Sequence, residues 1–137
     1  MEQIYQYFNI KSTDLDVIFD AVNTEKGIQK WWTAGTVKED NVFHFTFNGN
    51  YTKSFRIVNA ESNLKVEWEC ISGHDDWIGT KIEFKLIPKE DSTDISFRHY
   101  GWKAQSEHFA SCNYHWGLYM KSLKMLIEDG EGAPHKY

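Results

Sequence analysis

Three side chains able to ligate a metal recur at helical steps near the C-terminus: His108, Cys112 and His115, at i, i+4 and i+7. His99 stands on the segment before them and could face them. Zinc wants about four convergent ligands. The apolar stripe of this helix is centred nearer Trp116 and Leu123 than the histidines, so no metal is expected. Cys112 would act as a nucleophile only if a cation or a helix N-terminus lowered its pKa. The sequence offers neither, and a buried, inert thiol is expected. The stretch Ser72-Gly73-His74-Asp75-Asp76 puts hydroxyl, imidazole and carboxylate in tandem. A catalytic triad is made by geometry rather than adjacency, so this reads as a solvated turn. No phosphate-cradling glycine loop or dinucleotide fingerprint occurs, and no cofactor is expected. His99 differs from the rest: it alternates with Ile95 and Phe97 and should point inward. It is either a core histidine satisfied by protein partners or the polar handle of an apolar pocket, which needs few polar groups to orient a guest.

Composition narrows the classes. The 137 residues carry 15 Lys and Arg against 20 Asp and Glu, a net charge of −5. The basic residues are scattered, without the stripe a phosphate backbone attracts, so nucleic acid is not an expected partner. No apolar run approaches the roughly 18 residues that span a bilayer, and membrane insertion is not expected. The start, Met1-Glu2-Gln3-Ile4-Tyr5, lacks the charged and apolar regions of a signal peptide. Two cysteines form no disulfide framework, which suits a reducing cytoplasm. Aromatics are 16% of the chain, with six tryptophans. Such rings need a wide core or a ligand to pack against.

The elements that would position these groups follow from periodicity. Residues 3–11 read as a strand. Ser12 or Thr13 should cap a helix, with Thr13 and Asp16 as a weak capping box, and Leu15, Ile18, Phe19 and Val22 as its apolar face. Thr24 should cap a second short helix carrying Ile28, Trp31 and Trp32. From 36 to 100 the period is two. Phe43, Phe45 and Phe47 alternate with Val42, His44 and Thr46 up to Asn48-Gly49, a tight-hairpin signal. Tyr51–Val58 returns. Leu64, Val66, Trp68 and Cys70 share a face, as do Ile78, Thr80, Ile82, Phe84 and Leu86, and then Ile95, Phe97 and His99. Half-apolar alternation of this kind marks antiparallel strands with one solvated face. A long helix, about 105–129, presents Phe109, Cys112, Trp116, Tyr119, Leu123 and Leu126, and Gly130 should end it. The chain is expected to be one α+β domain, about seven antiparallel strands curved around the C-terminal helix.

That order resembles the helix-grip superfamily of START domains and the birch-pollen allergen. The closer resemblance is to the subfamily named after the C-terminal domain of the activator of Hsp90 ATPase. It rests on Trp31-Trp32, on Trp77-x-Gly79-Thr80-x-Ile82-x-Phe84-x-Leu86, and on Ile95-x-Phe97-x-His99-x-Gly101-Trp102. The helix segment from Cys112-x-x-x-Trp116 through Ser122-Leu123-Lys124 to Glu128-x-Gly130-x-Gly132-x-Pro134 completes it. The resemblance implies a cavity between sheet and helix that takes an apolar ligand. It does not imply chaperone activation, because the eukaryotic activator has an additional N-terminal domain for which 137 residues leave no room.

Binding of an apolar or aromatic small molecule is therefore favoured over catalysis. The expected cavity residues are Trp31, Phe45, Phe55, Trp68, Phe84, Phe97, His99, His108, Cys112, Trp116 and Tyr119. A cyclase- or hydrolase-type enzyme is the alternative; it would need a buried acid or base, and only His99 and His108 qualify. An interaction module, a homodimer included, is the third reading. It rests on Tyr114, Leu118 and Met125, which lie towards the helix's outer side.

Overall fold

Seven strands form one antiparallel sheet. The structure is a computed structural model and describes residues 2–48 and 51–136. The elements are β1 (Glu2–Ile10), α1 (Leu15–Asn23), α2 (Glu25–Gln29), β2 (Gly35–Glu39), β3 (Val42–Phe47), β4 (Tyr51–Glu61), β5 (Lys65–Ser72), β6 (Lys81–Pro88), β7 (Thr93–Trp102) and α3 (Glu107–Asp129). Strands β2 to β7 are joined in sequence, each beside the next. β1 closes against β7, with Ile4 opposite His99 and Phe8 opposite Ile95.

The alternation predicted this well because β3, β5, β6 and β7 turn their large apolar residues to one face. Phe43 and Phe45 of β3, Val66, Trp68 and Cys70 of β5, and Ile82, Phe84 and Leu86 of β6 are all buried, as are Ile95, Phe97 and His99 of β7. The register shifts twice between β4 and β5, at Ser54/Phe55 and at Ile57/Asn59. Such bulges add local bend and twist, which suits a sheet that curves. α3 crosses the inner face, and its Trp116 ring packs 4.6 Å from that of Phe97 and 4.8 Å from that of Trp32.

Four local expectations change. The cap of α1 is Asp14, whose carboxylate accepts from the Val17 N–H, while Ser12 Oγ accepts from the Asp14 N–H. Neither Ser12 nor Thr13 caps the helix, because a carboxylate at residue 14 reaches the free N–H groups of the first turn. Ile78 does not extend β6. The chain turns over His74–Gly79, with the Trp77 N–H on the His74 carbonyl, and Ile78 is left 43% exposed. Leu64 likewise falls in the β4–β5 turn and is exposed. α3 starts at Glu107 rather than 105, capped by Ser106 Oγ, which accepts from the Phe109 N–H. Gly49 of the Asn48-Gly49 signal lies outside the described residues, though Phe47 pairs with Tyr51 and Asn48 has a φ of 43°.

Thr24 caps α2 as expected, accepting from the Gly27 N–H and donating to the Asp20 carbonyl, but the helix ends at Gln29 and carries only Ile28 of the three expected residues. The Trp31-Trp32 segment after α2 is held from three sides. The Trp31 indole donates to the Ala21 carbonyl at 2.6 Å. Ser122 Oγ on α3 donates to the Trp31 carbonyl. The His135 N–H donates to the Trp32 carbonyl, as the tail after α3 folds back beneath it.

This clamp needs α1 and α2 close together, and Gly27 permits it. A Cβ there would lie 2.3 Å from the Asp20 carbonyl oxygen and 2.7 Å from the Ala21 Cα. Both are backbone atoms that cannot swing aside. Gly27→Ala should therefore lower stability by about 2–4 kcal/mol, although alanine is about 1 kcal/mol the better helix former. Urea unfolding followed by tryptophan fluorescence measures it. An unchanged or raised midpoint would show that α1 and α2 separate freely.

Candidate functional site

The interior of the grip is largely filled by its own rings. Trp31, Phe45, Phe55, Trp68, Phe84 and Phe97, expected as cavity wall, are wholly buried. They pack on one another, with Phe45 5.6 Å from Trp68, Trp68 5.5 Å from Phe84, and Phe84 5.0 Å from Phe97. None of them lines the space that remains.

That space is a cavity of about 170 Å³ at one end of the grip. α3 supplies one wall with His108, Ser111, Cys112, His115, Trp116 and Tyr119. Trp32, Phe47, Lys53 and Trp77 face it. So four of the expected residues (His108, Cys112, Trp116 and Tyr119) come together here. The size suits one aromatic ring, since a cavity of about 150 Å³ holds benzene. Drug-sized ligands occupy about 300–1,000 Å³. Larger hollows of about 660 and 320 Å³ are surface grooves, one beside the C-terminal tail and one beside α1. They lack this convergence of rings and titratable groups.

His99 is not on the cavity wall. Its ring is wholly buried and both nitrogens are occupied by protein. The Trp116 indole N–H donates to Nδ1 at 3.1 Å. An indole can only donate, so Nδ1 is the acceptor and the proton sits on Nε2. Nε2 then donates to Thr80 Oγ1 at 2.8 Å, and Thr80 Oγ1 donates to the Trp77 carbonyl at 2.6 Å. Burial, with the nearby Lys53 charge and His108, pushes the imidazole well below its ordinary pKa. A neutral ring is what this chain of bonds requires.

The Trp77 ring reaches back to α3. Its indole N–H meets Cys112 Sγ at 3.3 Å, and that sulfur lies 3.6 Å from His108 Nε2. The His108 ring stacks on that of His74 at 3.9 Å. His115 turns to its own helix, with Nδ1 2.8 Å from the Ser111 carbonyl. Burial raises the Cys112 thiol above its ordinary pKa, and it raises Cys70 to about 11. Both thiols are thus protonated at neutral pH, which leaves them poor nucleophiles.

The residue that sequence reasoning missed is Lys53. On β4 it stands opposite Phe45, one strand step from Phe55, so the alternation turns it inward. Only 8% of it is exposed. Its Nζ sits 3.4 Å from the centre of the Trp77 ring and within 5.4 Å of those of Phe47 and Tyr51. Gly73 packs on its stem, where a Cβ would be 3.1 Å from Lys53 Cγ. No carboxylate among the described residues pairs with it. Burial pushes the ammonium down to about 8, opposed by the ring faces, which favour a cation. The signal was available: a lysine at an inward position of a strand whose neighbours there are aromatic.

Sheet, grip and helix together define a helix-grip protein of the START and birch-pollen-allergen superfamily. The sequence model of the family described as Activator of Hsp90 ATPase homolog 1-like protein matches residues 12–128. The chain belongs to that family. It is 30% identical to the Aha1 protein of Colwellia psychrerythraea, whose solution structure is a dimer; the match covers 96% of this chain and 100% of that one, with a TM-score of 0.86. CalU16 of Micromonospora echinospora shares the fold at 16% identity and a TM-score of 0.74, over 96% of this chain and 69% of its own. Staphylococcus saprophyticus SSP2350 shares it at 12% and 0.77, over 96% of each. No curated protein sequence matches.

His99→Phe should cost about 1–3 kcal/mol, because the buried Trp116 indole loses its acceptor. A second signature is the pH dependence. His99 stays neutral in the fold but takes a proton once unfolded, so wild-type stability falls as pH drops below about 6.5. The variant should lose that share of the slope. Unfolding midpoints at pH 7.5, 6.0 and 5.0 measure both; parallel curves for the two proteins would remove His99 as the origin.

Proposed function

We propose that the chain is a binding domain for a small aromatic or apolar molecule, held between α3 and the sheet in the cavity beside Trp77. The observation that supports this most is a ring-sized space walled by Trp32, Trp116 and Tyr119 in an interior that is otherwise filled. Apolar burial, about 25 cal/mol per Å² less the ordering cost, supplies the affinity. Catalysis gains no support: His99 is locked between protein partners, and the thiols are held protonated.

The six tryptophans test it residue by residue. Three of them, Trp32, Trp77 and Trp116, line the cavity, and Trp31, Trp68 and Trp102 do not. Benzyl alcohol, a neutral single ring, should shift the indole N–H signals of the first three in a ¹H–¹⁵N NMR titration. A dissociation constant on the order of 1 mM corresponds to about −4 kcal/mol. Saturable shifts confined to those three support the reading. Shifts spread evenly over all six, or none, would overturn it.

Self-association is a second reading, supported by the dimeric form of the Colwellia protein at 30% identity. On this chain Tyr114 is 67% and Leu118 49% exposed on one side of α3. The expected occupant of that patch is a second copy. Sedimentation equilibrium should show a dimer that Tyr114→Glu with Leu118→Glu dissociates. A wild-type monomer at 100 µM or so would end this reading, as affinities of biological dimers are commonly tighter.

A further inference from the structure

We propose that the ligand of this cavity is an aromatic monocarboxylate, whose carboxylate pairs with Lys53 Nζ while its ring lies among Trp32, Trp116 and Tyr119. The inference rests on the binding reading above and specifies the class of molecule bound.

Three observations carry it. Lys53 lines the cavity, and so do Trp77 and Phe47, against whose rings its ammonium sits. It is nine-tenths buried and has no carboxylate partner among the described residues. Buried charges elsewhere in proteins are paired, because an unpaired one is costly. Here the rings of Trp77, Phe47 and Tyr51 are the partners within the fold. A ring face attracts a cation but accepts no hydrogen bond of the strength a carboxylate offers. The Nζ donors are left with room for an anion.

The charge and the volume then select the anion. The titratable groups facing Lys53 are Tyr51 on β4, Cys70 on β5, His99 on β7, and His108 and Cys112 on α3; His115 also lines the cavity, and His74 and Asp76, in the turn before β6, act on His108 or Cys112 rather than on Lys53. Burial raises Tyr51, Cys70 and Cys112 and lowers His99 and His108, so each of these five is held towards its neutral form. One positive charge matches one negative charge. A phosphate dianion would bring a second, unpaired charge into a poorly solvated site. The 170 Å³ available admits one ring with a small substituent and not a long acyl chain. Lys53 stands across the cavity from Tyr119 and Trp116 on α3, so polar end and ring have separate places.

Benzoate and benzyl alcohol share the ring and differ in the charge, and they separate the two claims. By NMR titration at pH 7, benzoate should bind wild type at least tenfold more tightly than benzyl alcohol. Lys53→Met should abolish that preference, so that the variant binds benzoate no more tightly than it binds benzyl alcohol. Lys53→Arg should retain part of it. Methionine is nearly as long and carries no charge to bury, so the variant keeps its fold, which the dispersed indole signals verify. An arm on wild type alone uses pH. Benzoate affinity should fall about tenfold per pH unit above the ammonium's value of about 8, with benzyl alcohol flat. That window lies above the range in which imidazoles titrate. If the two probes bind equally, or Lys53→Met binds benzoate as wild type does, the carboxylate assignment is wrong while the ring-binding reading stands. If neither probe binds, both fall.

Discussion

The hydrogen bond from the Trp116 indole to His99 Nδ1 ties the last helix to the sheet, and the arrangement of the site follows from it. Because indole only donates, the bond fixes the imidazole as an acceptor on that side. The other nitrogen must then donate, and it donates to Thr80. Thr80 in turn spends its own proton on the Trp77 carbonyl. The backbone of the turn before β6 is thereby fastened to β7. The Trp77 side chain completes the circuit by donating back to Cys112 on α3. Helix, strand, turn and helix form a closed ring of directional bonds. A polar network in a dry interior is stabilising only when every member is satisfied, and in this one each donor has an acceptor.

Apolar packing explains why the cavity sits where it does. On the inner face, Trp116 of α3 lies on the Phe97 ring of β7, while Trp31 and Trp32 pack on Phe84 of β6 and Trp68 of β5. Trp32 fills the centre, its ring 4.2 Å from Phe45 and 4.8 Å from Trp116. So tightly is this part packed that the Trp68 indole N–H has no partner among the described residues. Close contact of large rings outweighs one lost hydrogen bond, which costs about 1–3 kcal/mol. Around the N-terminal half of α3 the rings no longer close the space between helix and sheet. There β4 contributes a lysine instead of a further aromatic, and the helix presents His108, Ser111, Cys112 and His115. Smaller and polar side chains on both walls leave the space that larger rings close elsewhere.

The strands were legible in the sequence because each has one buried and one wet face, and a period of two records that directly. The helix grip followed from six such segments and one long apolar stripe. What escaped was everything decided by partners distant in sequence. Thr80 is the acceptor for His99, yet the two are 19 residues apart and only the β6–β7 pairing brings them together. Ile78 keeps the period of β6 but falls in a turn held by backbone bonds over His74–Gly79. Among the expected wall residues Trp31, Phe45, Phe55, Trp68, Phe84 and Phe97 are buried, but periodicity reports which face is buried, not whether a neighbour or a void lies against it. Phe45 and Trp68 meet other rings; Trp116 meets both.

Lys53 is the exception that periodicity does record. At its position on β4 the pattern calls for an apolar residue, and the flanking inward sites on β3 and β4 hold Phe43, Phe45 and Phe55. A methionine or leucine there would pack against Trp77 and bury no charge. Holding the ammonium down at about 8 instead costs the fold about 3 kcal/mol at neutral pH, before the attraction of the rings is counted. That is a large share of the roughly 5–15 kcal/mol by which domains are stable. Local rules are broken at such expense mainly at functional sites. An acid nearby would have compensated the charge, as Glu83 compensates Arg98 on the outer face of the sheet. None pairs with Lys53 among the described residues. The lysine stands where the aromatic interior opens, so its charge belongs to the cavity rather than to the core.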